Sequence, residues 1–375
     1  MAQSLLKGAG MHGFGLRSRV FSLHGFIAVL LLLGVAACGG GNKEQAAPAP
    51  GASPKDEPAA ATSTLTLGAY TTPREAYAAI IPAFTKVWQE QSKKTLQARE
   101  SYLGSGAQAR AIIGGFEADV APLSLEPDIK KIQDAKLITH DWKAGEYKGV
   151  VTRSIVVIGV RKGNPKKILD WDDLAKPGVE VLTPDVRTSG GAMWNVAAIY
   201  GAALRGHTSA AKDDVASATK LLSGVLHNVK ILDRGARESL LNFERGVGDA
   251  IITYENEILV GQKGGKDYEY VIPKSTILIE NPVAVVDSYA KKHNSEDVAK
   301  AFVEFLYTPE AQRTFADNGL RPVLPAVANE VAAKYPAPTD LFTVRDLGDW
   351  ADVDTKIFAK GAAYDTAFAA GRAGQ

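Results

Sequence analysis

The chain has 375 residues, with 43 Lys and Arg against 42 Asp and Glu, for a net charge of +1. That balance excludes the strongly basic surface on which polyanions such as nucleic acids bind. Its one cysteine, Cys38, excludes an internal disulfide, so the fold must be held by its core.

In chain order the first predicted segment is an export signal. Lys7, Arg17 and Arg19 precede an apolar run over 26–37 broken only by Gly34. The run is short for a membrane span and ends in Gly34-Val35-Ala36-Ala37 directly before Cys38. This resembles a bacterial lipobox, which implies cleavage after residue 37 and lipid on the Cys38 thiol. Residues 38–63 are mostly Gly, Ala, Pro and Ser, a tether that cannot bury a core. Residues 1–37 hold three basic and no acidic side chains, so +1 becomes −2 once they are removed. The expected location is extracytoplasmic, lipid-anchored to the cell membrane or periplasmic, with the anchor as the only membrane contact.

The body from residue 64 to about 370 is long enough for two lobes. Strands are predicted over 65–70, 97–102, 118–121, 154–160, 229–232, 250–253 and 282–286. Helices are predicted over 73–91, 106–113, 171–174, from Ser189 onward, 295–307 and 309–316. Alternating strands and helices argue an α/β fold. The segment 154–160, Ser-Ile-Val-Val-Ile-Gly-Val, is apolar on both faces and reads as a central parallel strand.

Four loop-to-helix junctions share one chemistry. Thr72-Pro73-Arg74-Glu75 has the form of a capping box with proline at the first helical position. Gly104-Ser105-Gly106 and Ser189-Gly190-Gly191 each open a helix with a serine beside glycines, and Asp233-Arg234-Gly235-Ala236 opens the helix carrying Leu240, Leu241 and Phe243. The first N–H groups of a helix lack intrahelical acceptors and lie at its positive end. Glycine lets a ligand approach them closely. At the carboxyl ends of strands, where ligands bind in α/β sheets, such starts suit a small oxyanion.

Five motifs carry a resemblance: Ala69-Tyr70-Thr71-Thr72-Pro73-Arg74-Glu75, Gly104-Ser105-Gly106-Ala107-Gln108-Ala109-Arg110, Arg161-Lys162-Gly163-Asn164-Pro165, Thr188-Ser189-Gly190-Gly191-Ala192-Met193-Trp194-Asn195 and Tyr254-Glu255-Asn256-Glu257. Collinear from about Thr64 to Trp350, they resemble the sulfate-binding proteins of bacterial ABC importers. The resemblance implies a two-lobed periplasmic-binding-protein fold (type II) with the ligand in the interlobe cleft. One lobe would comprise 64–153 and 256–370, its C-terminal helices reaching both lobes, and the other 154–255. It implies a dehydrated tetrahedral oxyanion held by Thr71, Ser105, Ser189, Gly190, Gly191, Ala236 and Tyr254, without metal or cofactor. It also implies a monomer that delivers sulfate to a permease and ATPase. Thr71 stands where the family carries Asp, and Tyr254 where it carries an indole donor. A phenol donates but also accepts, so phosphate, thiosulfate and molybdate stay open as cargo.

Other roles stand beside these. Tyr254 also suits a core position, Trp194 and Asn195 suit packing and structural hydrogen bonds, and Arg110 and Arg237 suit either anion pairing or carboxylate pairing. Glu255 and Glu257 would share one face if the preceding strand continued, as a solvated pair bracing a hinge. An exported hydrolase is the rival class. Leu103 stands where a nucleophile elbow needs glycine, and His140, His207, His227 and His293 are scattered, so no enzyme is expected.

Overall fold

The computed structural model describes residues 61–373. The expected signal segment, most of the tether and the Cys38 anchor lie outside the described residues. In order, the elements are β1 (Thr62–Tyr70), α1 (Arg74–Ser92), β2 (Thr95–Leu103), α2 (Ser105–Ile113), β3 (Val120–Pro122), α3 (Glu126–Asp134), β4 (Val150–Val160), α4 (Trp171–Leu174) and β5 (Val181–Pro184). Then follow α5 (Gly190–Leu204), α6 (Val215–His227), β6 (Val229–Asp233), α7 (Ala236–Glu244), β7 (Ala250–Tyr254), α8 (Glu255–Lys263), β8 (Glu269–Val271) and β9 (Ser275–Val285). Helices over Glu296–Leu306 and Pro309–Asp317 and a C-terminal helix over Ala363–Arg372 complete the frame.

The strands run in the order β2-β1-β3-β9-β4-β7-β5-β6. β1 pairs with β2 in parallel, Thr62 opposite Thr95, and β5 lies parallel to both β6 and β7. These parallel sets form two groups joined by the 11-residue strands β4 and β9, which pair antiparallel in the middle. Each joining strand serves two cores. Val151 and Val283 pack with Leu65, Tyr77 and Phe84, whereas Val156, Ile158, Ile277 and Ile279 pack with Trp171, Trp194 and Ile199. Burying each such side chain contributes roughly 1.5–3 kcal/mol, so both groups are anchored to the connecting strands.

The α/β expectation is borne out, with one correction of direction. The run 154–160 is central and buried, but β4 pairs antiparallel with β7, β8 and β9. An apolar strand reports cover on both faces, and that cover is the same whichever way the neighbours run.

Segment 340–372 packs on the second group. Phe342 lies against α5, where a methyl added at Gly201 would come within 2.5 Å of its ring. The C-terminal helix lies along α6, and the Gly371 carbonyl sits 2.7 Å from His227 Nδ1.

Candidate functional site

Four strand ends lead into the helices whose starts the sequence singled out, β1 into α1, β2 into α2, β5 into α5 and β6 into α7, and β7 turns directly into α8 at Tyr254. These junctions converge. A methyl at Gly104 would lie 2.6 Å from the Thr188 carbonyl oxygen and 2.9 Å from that of Arg234. One at Gly191 would lie 3.4 Å from Ala236 Cβ, 3.4 Å from Ser189 Oγ and 3.5 Å from Tyr254 Cε1, and one at Gly235 would lie 3.8 Å from Thr71 Oγ1. The Ala107 N–H donates to the Thr188 carbonyl at 3.3 Å, and Arg110 Nη1 donates to the Arg187 carbonyl at 3.3 Å. Glycine at 104 is required by this backbone contact, because a side chain there would separate the junctions.

Thr71, Ser105, Ser189, Gly190, Gly191, Ala236 and Tyr254 are brought together, all buried and none charged. Ser189 caps α5, its Oγ accepting the Ala192 N–H at 3.4 Å, which leaves its own proton free to donate. Gly190, Gly191 and Ala236 are first-turn residues whose N–H groups have no intrahelical acceptor. Ser105 Oγ donates to Asp128 Oδ2 at 2.6 Å and accepts the Ser124 N–H at 3.0 Å, and Lys131 Nζ lies 2.9 Å from the other Asp128 oxygen. Its one proton therefore serves Asp128 in this arrangement and must rotate to serve a ligand. The Tyr254 phenol lies 2.6 Å from Ser124 Oγ. Burial raises its pKa, so it is neutral and protonated at physiological pH.

Charged side chains form the support. Arg237 makes a bidentate pair with Glu75, at 2.5 and 2.8 Å, and its Nε lies 2.9 Å from Glu257. Burial pushes the Glu75 carboxyl up, but the Arg237 guanidinium outweighs it and holds the carboxyl below its ordinary value. Glu257, fully enclosed, is raised by burial despite Arg237. Arg237 is thus committed to carboxylates. Any anion at the strand ends would meet dipoles and hydroxyls from these seven residues.

Two sequence expectations are corrected here. Glu255 and Glu257 are not a solvated pair on a continuing strand: the chain turns into α8 at residue 255, both are buried, and Glu255 pairs with Arg321 at 2.7 and 2.9 Å. The strand ends because Tyr254 is itself the residue before the first helical turn. The capping box at Thr72 does not form either. α1 starts without a side-chain cap, since Glu75 is drawn to Arg237 instead. Trp194 and Asn195 do make structural bonds, from the indole to the Ser124 carbonyl at 3.1 Å and from the Asn195 amide to Thr183 Oγ1 and the Ile252 carbonyl.

Sequence reasoning missed Ser124 and Asp128. The available signal was a further strand-to-helix junction, Ser124-Leu125-Glu126-Pro127, separated by two residues from the 118–121 strand. Two open cavities, about 700 Å³ beside Trp142, Tyr147 and Tyr307 and about 550 Å³ beside Arg205, His207 and Lys356, share no residue with the strand-end site. No group of three or more His, Cys, Asp or Glu among the described residues is placed to hold a metal.

A two-group α/β frame with helix starts gathered at its strand ends defines a solute-binding protein. The chain belongs to the bacterial extracellular solute-binding protein family, whose model matches residues 65–321. It is 40% identical to the sulfate-binding protein of Synechococcus elongatus over 349 residues, 92% of this chain and 95% of that relative. It is 36% identical to the thiosulfate-binding protein of Escherichia coli (strain K12) over 310 residues, 81% of this chain and 90% of that one. Among solved structures, the sulfate-binding protein SubI from Mycobacterium tuberculosis H37Rv matches with a TM-score of 0.73 at 38% identity, over 80% of this chain and 100% of that one. A periplasmic thiamin-binding protein shares the fold at 15% identity, with a TM-score of 0.60 over 82% of this chain and 96% of that one. The resemblance read from the five motifs is borne out by these relatives.

Proposed function

We propose that this chain is an extracytoplasmic receptor that captures sulfate and delivers it to the permease and ATPase of an ABC importer. The observation that carries this reading is the convergence of five helix starts, those of α1, α2, α5, α7 and α8, whose seven inward residues are buried, uncharged and rich in N–H and O–H donors. Sulfate is fully ionised near neutral pH and offers acceptors only, which suits amides that can only donate. The name carried by relatives at 40% and 36% identity, sulfate-binding protein, supports the same cargo. Ligand contacts are assigned to the Gly190, Gly191 and Ala236 amides and to the Thr71, Ser105, Ser189 and Tyr254 hydroxyls or amides. Strand grouping supports a lobe boundary near 153, but Ile258, Tyr268, Ile277 and Ile279 pack with the second group, so the return crossing lies within β9 and not near 255, with the anion between the two groups. Among the described residues the Ser105 hydroxyl bonds Asp128 and the Ser189 hydroxyl accepts the Ala192 N–H, and both serines are assigned to binding. Lipid on Cys38 would tether a monomeric receptor to the membrane. Among the described residues no helix is long and apolar enough to cross one.

Thiosulfate is the second reading, favoured by the relatives named for it at 36% and 33% identity. Titration calorimetry of the purified protein against sulfate, thiosulfate, phosphate and molybdate tests the assignment. The expected result is one site with sulfate ahead of phosphate by roughly ten- to hundredfold, since the amides only donate and a ligand O–H requires a hydroxyl to give up its bond to the anion and turn to accept. Thiosulfate bound more tightly than sulfate would transfer the assignment, and phosphate displacing sulfate at equal concentration would overturn it.

A further inference from the structure

We propose that Ser124 is a specificity-determining residue of this anion site: its hydroxyl, paired with the Tyr254 phenol, lets the pair offer the ligand either a proton or a lone pair. This inference rests on the oxyanion reading above and adds a residue outside the five motifs and the four helix starts read from the sequence.

The backbone of Ser124 is pinned. Its N–H donates to Ser105 Oγ at 3.0 Å, and its carbonyl accepts from Trp194 Nε1 at 3.1 Å and from Asn281 Nδ2 at 3.2 Å. The residue is 1% exposed. What it can still do is turn its O–H. The hydroxyl borders the turn whose amides would face the anion, because a methyl at Gly190 would lie 2.6 Å from Ser124 Oγ. On its other side Ser124 Oγ lies 2.6 Å from the phenol oxygen, and either oxygen can be the donor.

Two oxygens with two protons share one hydrogen bond, so one proton is left over. When Ser124 donates, the phenol proton is free for the ligand, which suits a fully ionised anion. When the phenol donates to Ser124, a phenol lone pair is free and can receive a ligand O–H. The amides of Gly190, Gly191 and Ala236 cannot reverse in this way. Ser105 does not substitute, since its proton is held by Asp128 and its oxygen already accepts the Ser124 N–H. Removing Ser124 Oγ takes away the phenol's hydroxyl acceptor and leaves Asn281, whose side chain bonds the phenol oxygen, as the remaining neighbour, so the phenol proton turns to the ligand. A monohydrogen anion then brings its own proton against a donor, whereas a fully ionised anion keeps its bond. Ser124 therefore acts through Tyr254, and its signature is selectivity.

The test is competition binding on the purified full chain with sulfate and inorganic phosphate, at mildly alkaline pH where phosphate is chiefly the doubly charged monohydrogen ion. In the parent protein phosphate is expected to displace sulfate only when in large excess. Ser124→Ala is expected to weaken sulfate by about threefold and phosphate by a further tenfold or so, since a buried donor left facing a proton costs on that scale. Tyr254→Phe, which removes a single oxygen, should raise the sulfate-to-phosphate ratio likewise. The double variant should add nothing further, the mark of two residues acting as one unit. Ratios unchanged in both single variants, effects that multiply in the double variant, or phosphate that never displaces sulfate from the parent would each overturn the inference while sulfate binding stands. Absence of sulfate binding in the parent would instead overturn the functional reading, and this inference with it.

Discussion

Adjacent glycines at the start of α5 should respond to the same substitution in opposite ways. A methyl at Gly190 would lie 2.6 Å from Ser124 Oγ, 2.8 Å from Leu125 Cγ and 2.9 Å from Ser124 Cβ, all far inside contact distance. Ser124 cannot retreat, because three hydrogen bonds hold its backbone. Gly190→Ala should therefore lose roughly 1–3 kcal/mol of stability to overpacking, offset by up to about 1 kcal/mol of helix propensity. At Gly191 the methyl meets its neighbours at 3.4–3.5 Å, ordinary packing distances. Gly191→Ala should then leave the unliganded protein as stable as the parent or about 0.5–1 kcal/mol more so, because alanine restricts the unfolded chain. The same methyl stands between Ser189 Oγ, Ala236 and Tyr254, where the anion would sit. Losing one amide hydrogen bond to a charged group costs about 1.5–3 kcal/mol, roughly ten- to 150-fold in affinity. Thermal unfolding without anion and calorimetry with sulfate read the two effects separately. Parental sulfate affinity in Gly191→Ala would refute the placement of the ligand, and equal melting of the two variants would refute the packing argument.

Ser189→Ala should weaken sulfate by about 1.5–3 kcal/mol through the lost hydroxyl, and cost the free protein at most about 1 kcal/mol because its cap bond to Ala192 is long; calorimetry and melting together check both. Arg237→Met strands the enclosed Glu257 carboxylate and should destabilise by about 3–5 kcal/mol, measured by denaturant unfolding; a smaller loss would mean that Glu257 takes up a proton. The Asp340 carboxyl is held down to about 2, first by Arg205 and then by Ser275. With a folded pKa below the unfolded one, its stabilisation is present above the ordinary carboxyl value and lost as pH falls from there toward 2. Asp340→Asn should shrink that acid-side loss by on the order of 1 kcal/mol after solvent screening, visible as a flatter melting profile in acid. Cys38→Ser should abolish incorporation of labelled fatty acid, since a hydroxyl cannot take the place of the lipid-accepting thiol; labelled serine variant would end the anchor assignment.

Much of this protein is written locally in its sequence. Serine beside paired glycines at 189–191, the bare Gly235-Ala236 start and the apolar run at 154–160 report backbone geometry and burial, which depend on neighbours a few residues away. The oxyanion class followed from those starts, and the five motifs added the relatives. What needed the tertiary structure is every choice of partner. The direction of β4, the turn into α8 that buries Glu255 and Glu257, the diversion of Glu75 from the α1 cap to Arg237, and the place of Ser124 between Ser105 and Tyr254 all join residues far apart in sequence. A side chain's chemistry states what it can bond, but only the packing of distant elements decides which partner lies within 3 Å.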